Sequence, residues 1–168
     1  MQNTLQLQDS LKVDRVIACL LESRGIHSFE AAKNFFRPDL RHLHDPFLMK
    51  GMRVAIDRIN QAIDANEKVL IYGDYDVDGT TAVSVVYSFF KPYIQNIRYY
   101  IPDRYKEGYG ISFASIDYAA EHNYSLVIAL DCGIKAVDKI AYANEKNIDF
   151  IICDHHLPDA ILPPAIAI

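Results

Sequence analysis

Three short apolar runs, each ending on an acidic residue, constrain this 168-residue chain more than any other feature. "KVLIY" (from Lys68) leads into Gly73-Asp74-Tyr75-Asp76-Val77-Asp78-Gly79, "SLVIAL" (from Ser125) into Asp131-Cys132-Gly133, and "DFIIC" (from Asp149) into Asp154-His155-His156. Such runs are strand length, and a run without polar alternation suits a strand covered on both faces. "NIRYYI", from Asn96, is a fourth candidate strand. Helical patterns fill the gaps, predicting helices over Thr80 to Phe90, Ser112 to His122 and Ile134 to Asn147. This alternation predicts an α/β unit with an open, doubly wound, mainly parallel sheet of Rossmann-like type.

The first third of the chain reads differently. "SLKVDRVIACLLESRG" has helical spacing and stops at Gly25, while "HSFEAAKNFF" starts on a Ser28 cap and ends before Pro38. "RPDLRHLHDPFLMKGM" is turn-rich, and "MRVAIDRINQAIDANE" is amphipathic. These patterns place a helical lead-in over residues 1–66 and the α/β unit over 67–168. The net charge of −5 gives no global basic field, so any nucleic-acid contact must rest on a local site. Cys19, Cys132 and Cys153 are odd in number and form no zinc-type pair, which fits reduced thiols in a cytoplasmic protein. No apolar run is long enough for a membrane span, and the first residues lack a signal-peptide pattern.

Parallel strands deliver their carboxyl ends to one edge, where folds of this class hold their ligands. Asp74, Asp76, Asp78, Asp131, Asp154, His155 and His156 would then converge on one crevice. Carboxylates crowded beside a low-dielectric core repel one another, so one or two cations are expected there. Oxygen and imidazole donors suit Mn2+ or Mg2+. Taken singly, a strand-end Asp is an ordinary cap and a His pair an ordinary surface feature; three strand ends together outweigh those readings. Asp74, Asp76, Asp78 and Gly79 also match the start of an EF-hand loop, but Val85 stands where its bidentate Glu belongs. Asp76 to Thr80 resembles a haloacid-dehalogenase-type nucleophile loop, which leaves Asp154-His155-His156 unexplained. Cys132 and Cys153 are expected to pack beneath the site, and His27, His42, His44 and His122 have no such context. Gly79 allows a phosphate or metal to approach the backbone where a helix begins, or simply makes the turn. In "PDRYKEGYG", Arg104 and Lys106 suit backbone phosphates and Tyr105 or Tyr109 a stacked base; a solvated turn is the plain alternative.

"GDYDVDG", "ALDCGI" and "CDHHLP" resemble the first three motifs of the DHH phosphoesterase superfamily. "HDPFLMKGM" and "IPDRYKEGYGIS" resemble its RecJ-type branch of single-strand-specific exonucleases. The resemblance runs from about Val13 to Pro158. It implies 5′-to-3′ hydrolysis of single-stranded DNA to mononucleotides by two divalent metal ions, Mn2+ or Mg2+, in repair and recombination. It also implies a single-strand-binding protein and a helicase as partners. By the same resemblance, Asp76 and Asp78 bind one metal each, Asp131 bridges them and His155 ligates the second. His156 contacts the phosphate or orients a ligand, Asp154 orients a histidine, and Asp74 takes the place of a ligand histidine. Small-molecule DHH enzymes carry that histidine where this chain has Tyr72. Gly79, Arg104 and Tyr109 fall to the substrate. A fourth motif, an aspartate completing the first metal site, is expected beyond Ile168, so the chain reads as a fragment expected to bind metal weakly and cleave DNA poorly. Two other readings stand beside the exonuclease: a phosphodiesterase for short oligonucleotides or cyclic dinucleotides, and a catalytically silent DHH-like scaffold. Retention of every ligand in the visible motifs speaks against the scaffold.

Overall fold

The computed structural model describes residues 2–168, which form two compact units, the first ending at Asp45 and the second running from Pro46 to Ile168. The described residues of the first form three α-helices, α1 (Gln2–Leu11), α2 (Arg15–Ser23) and α3 (Phe29–Phe36), and a 3-10 turn at Leu40–His42. Asp14 caps α2 by accepting the Val16 N–H at 2.8 Å, and Ser28 caps α3 by accepting the Ala31 N–H at 3.1 Å. Their apolar stripes meet in a small core of Leu7, Ala18, Leu21, Ile26 and Ala32. The chain does not run helically through Lys12, which adopts a left-handed conformation, so α1 and α2 are separate.

The second unit contains α4 (Met52–Asp64), β1 (Val69–Gly73), α5 (Val77–Phe90), β2 (Ile97–Tyr100), α6 (Phe113–Glu121), β3 (Leu126–Leu130), α7 (Val137–Glu145) and β4 (Asp149–Cys153). All strand pairs are parallel, in the order β2-β1-β3-β4. Every residue of β1 and β3 is buried, as their unbroken apolar runs predict for strands sandwiched between helices. Leu70, Tyr72, Val127, Ala129, Phe150 and Ile152 point to one face and pack with Ile116 and Ala119 of α6 and Ile140 and Ala143 of α7. Val69, Ile71, Leu126, Ile128 and Ile151 point to the other, with Ile59 and Ala62 of α4 and Val83 of α5. The sequence boundary near residue 66 falls between α4 and β1, within this unit. Beside β4, the Ile166 N–H donates to the Phe150 carbonyl and the Ile152 N–H to that of Ala167, so the last residues run parallel to the strand.

At the amino-terminal edge of the sheet, Arg58 of α4 is buried with two acidic partners. Its guanidinium donates to both Glu67 oxygens, at 3.3 and 2.7 Å, and to Asp149 at 2.6 Å; Ser125 also donates to Glu67. Burial opposes the charge on Arg58, but these bonds outweigh it and hold its pKa above the usual value. No helix among the described residues is long and apolar enough to cross a membrane.

Candidate metal centre

Chain order reverses between β1 and β3: β2 lies outside β1, whereas β4 extends the other side. Such a switch point opens a crevice at the carboxyl ends of the strands. Asp74 leaves β1 directly into it and is wholly buried, yet neither carboxylate oxygen has a hydrogen-bond partner among the described residues. Burial raises its pKa above the ordinary carboxylate value, and the charges of Asp76 and Asp131 add to that. The N–H groups of Tyr75 and Gly110 lie near enough to favour the ionised form, without reaching hydrogen-bond geometry.

Asp76 caps α5 by accepting the Gly79 N–H at 2.9 Å, so the helix starts at Val77, three residues before the expected Thr80. Asp78 is therefore in the first turn, where the helix dipole favours negative charge. A side chain at Gly79 would collide with the main chain of Asp74, and one at Gly73 with the Gly79 carbonyl and a Val83 methyl. The two glycines let α5 start close against the end of β1, and the Gly79 N–H is taken up by Asp76.

Asp131 ends β3 in a left-handed conformation (φ 59°), with its N–H donated to the Cys153 carbonyl at 2.8 Å. It caps no helix, since Ala136 occupies that position for α7. Its largely buried carboxylate instead lies 3.1 Å from Nε2 of His155. Asp154, after β4, is buried: Oδ2 accepts the Ile134 N–H at 2.9 Å, and Oδ1 accepts the His156 N–H at 3.1 Å and its Nδ1–H at 2.7 Å. Burial pushes the Asp154 carboxyl up, but these donors prevail and hold it below the usual range. The Asp154 bond in turn raises the imidazole pKa of His156, aided by the charges of Asp131 and Asp76. Donor atoms of Asp131, His155 and His156 all lie within 4.8 Å of one another, a cluster one cation can draw together. Oxygen and imidazole donors beside a buried carboxylate without a partner fit a hard or borderline divalent cation.

The rim carries aromatic and basic groups. The Tyr109 hydroxyl is 3.4 Å from Nε2 of His156, and its pKa is pushed up to about 12 by burial and by Asp74, Asp131 and Asp76. The Tyr109 ring meets Tyr75 edge to face, and Arg104 lies 5.4 Å above the Tyr75 ring. Sequence reasoning missed Tyr75, which is masked between two aspartates. It also gave Tyr72 no bond, although the Tyr72 hydroxyl donates to the Gly110 carbonyl at 2.7 Å. A lone hydroxyl in a strand buried on both faces, which needs a partner, was the available signal. Cys132 is buried as expected and held as a thiol by burial and the surrounding aspartates. Cys153 is exposed instead of packed beneath the site; it lines an apolar groove of about 1020 Å3 with Asp78, Asp131 and His155.

The sequence profile described as "DHH family, N-terminal domain" matches residues 68–168. The chain belongs to the DHH family. Among the DHH relatives, the single-stranded-DNA-specific exonuclease RecJ of Bacillus subtilis (strain 168) is 43% identical over 162 residues, covering 96% of this chain and 21% of that protein. The RecJ of Escherichia coli (strain K12) is 31% identical over 150 residues, covering 89% of this chain and 25% of that protein. The chain thus spans about a quarter or less of the length of these relatives. A crystal structure of exonuclease RecJ bound to manganese matches with a TM-score of 0.65 at 28% identity, over 70% of this chain and 30% of that one. RecJ from Thermus thermophilus, in complex with Mn2+, has the same fold, with a TM-score of 0.76 at 22% identity over 98% of this chain and 22% of that one.

Proposed function

We propose that the chain forms the metal-holding part of a RecJ-like exonuclease that hydrolyses single-stranded DNA from its 5′ end. The observation that carries this reading is the convergence of Asp131, His155 and His156 beside the uncompensated carboxylate of Asp74. Similarity to RecJ proteins along nearly the whole chain, including structures solved with manganese, supports the substrate and the metal. Asp76, Asp78, Asp131 and His155 would hold two divalent ions, Mn2+ or Mg2+, with Asp74 as a further donor. Divalent ions at such a site supply acidified water at neutral pH and offset charge on the phosphoryl oxygens.

The chain's own groups do the positioning. Asp154 fixes His156 through Nδ1, which leaves Nε2 facing the crevice beside the Tyr109 hydroxyl. From there Nε2 donates to an oxygen of the scissile phosphate. Tyr109 offers a ring for the terminal base, and Arg104 a guanidinium for a backbone phosphate. Gly79 serves the substrate indirectly, through the tight start of α5. By family resemblance, a single-strand-binding protein and a helicase are the protein partners to test.

The test is Mn2+-dependent digestion, by the full-length protein, of a single strand labelled at either end. Mononucleotide release from the 5′ end, lost in Asp131→Ala, is expected. Release only from the 3′ end, or only from dinucleotides, would defeat the proposal.

A further inference from the structure

Residues 103–110 carry Arg104 and Tyr109, yet the segment also contains two acidic side chains that a polyanion would repel, Asp103, which accepts the Tyr105 and Lys106 N–H groups of the turn, and Glu107. Glu107 is half-buried, and both its oxygens are engaged. Oε1 accepts the Asp103 N–H at 2.8 Å, closing the segment on itself. Oε2 accepts the Tyr100 hydroxyl at 3.0 Å, from the end of β2, and the Ser112 hydroxyl at 2.6 Å, from the cap of α6. Ser112 also caps α6 by accepting the Ser115 N–H at 3.0 Å, so the anchor is itself fixed. Tyr100 stacks on Tyr72, whose hydroxyl holds the Gly110 carbonyl, and burial with the Glu107 carboxylate raises the Tyr100 phenol to about 12. Tyr100 therefore remains a donor throughout the neutral range.

We infer that Glu107 is a positioning residue: its carboxylate ties the 103–110 segment to β2 and α6 and so presents Arg104 and Tyr109 at the crevice in a fixed arrangement. The inference rests on the proposed contact of those two side chains with single-stranded DNA. An ionised carboxylate accepting three bonds from groups on different elements is a strong and directional clamp. A substrate contact made by a prearranged loop also spends less binding free energy on ordering. The negative charge does not face the ligand, because its oxygens are turned inward to these donors.

The experiment compares Glu107→Ala, Glu107→Gln and Arg104→Ala in this chain. Amide hydrogen exchange over residues 103–110 reports order. Fluorescence anisotropy with a short 5′-phosphorylated, 3′-fluorescein-labelled oligothymidylate in Mn2+ reports binding. Glu107→Ala is expected to speed exchange at Asp103 about tenfold or more and to weaken binding as much as Arg104→Ala does, with exchange in β1 and β3 unchanged. Glu107→Gln, which keeps an acceptor, is expected to recover most of both. If Arg104→Ala weakens binding while Glu107→Ala alters neither exchange nor binding, the positioning role is overturned and the DNA contact stands. If Arg104→Ala leaves binding unchanged, the DNA contact is overturned and the positioning role with it.

Discussion

Two aspartates at opposite edges of the sheet, Asp149 and Asp74, are treated in opposite ways. At the amino-terminal edge, Glu67 and Asp149 close around Arg58, and every charge there has a partner. At the carboxyl-terminal edge, Asp74 is more deeply buried than either, has no partner, and faces Asp76 and Asp131. The same residue type thus serves the fold at one end and weakens it at the other. A chain keeps such a cost where the uncompensated charge binds something, and this is how the metal edge differs physically from a structural one.

Arg58→Ala is the hardest test of that contrast. It leaves Glu67 and Asp149 facing each other and should cost about 3 kcal/mol in urea unfolding, somewhat less if the half-exposed Asp149 relaxes into water. A loss below about 0.5 kcal/mol would mean that the amino-terminal cluster is not structural. Asp154→Asn acts on the other edge. It keeps the shape but weakens the hold on His156, and should lower the rate of Mn2+-dependent single-strand digestion about 10- to 100-fold. An unchanged digestion rate would remove Asp154 from the site's supporting frame.

The smallest effect, and the most telling in sign, is expected from Asp74→Asn in the metal-free chain. The folded state raises the Asp74 pKa, so its favourable contribution is complete below the ordinary carboxylate value and is lost as pH rises through the folded pKa. At neutral pH the variant should therefore be more stable than the parent, with the gap closing as pH falls below the ordinary carboxylate value. Thermal unfolding in chelator across that range measures it. A variant less stable at every pH would show that the carboxylate is compensated after all.

The sheet and its strand-end aspartates were legible because both rest on local patterns: unbroken apolar runs set β1, β3 and β4, and parallel pairing aligns their ends. What stayed hidden depends on contacts between distant positions. Arg58 and Asp149 lie 91 residues apart, and no periodicity links them. The segment of α1 has few apolar residues, and among the described residues its buried side chains, Thr4 and Leu7, gain their places from a bond to Glu22 and from packing with Leu21. The start of α5 was misjudged because Asp76 caps it through the side chain, while the sequence also offered that aspartate as a metal donor. The positions of Asp131, His155 and His156 at one crevice followed from topology; the bonds that aim them, from Asp154 and through the turn at Asp131, did not.

That turn has a practical side for anyone building variants. At a φ of 59°, Asp and Asn are among the few side-chain-bearing residues the backbone accepts comfortably, and glycine accepts it freely. Alanine at 131 mixes two effects, a lost donor and a strained main chain. Asparagine or glycine separates them, so position 131 is where the proposed metal site can be tested with one codon change and no added strain in the main chain.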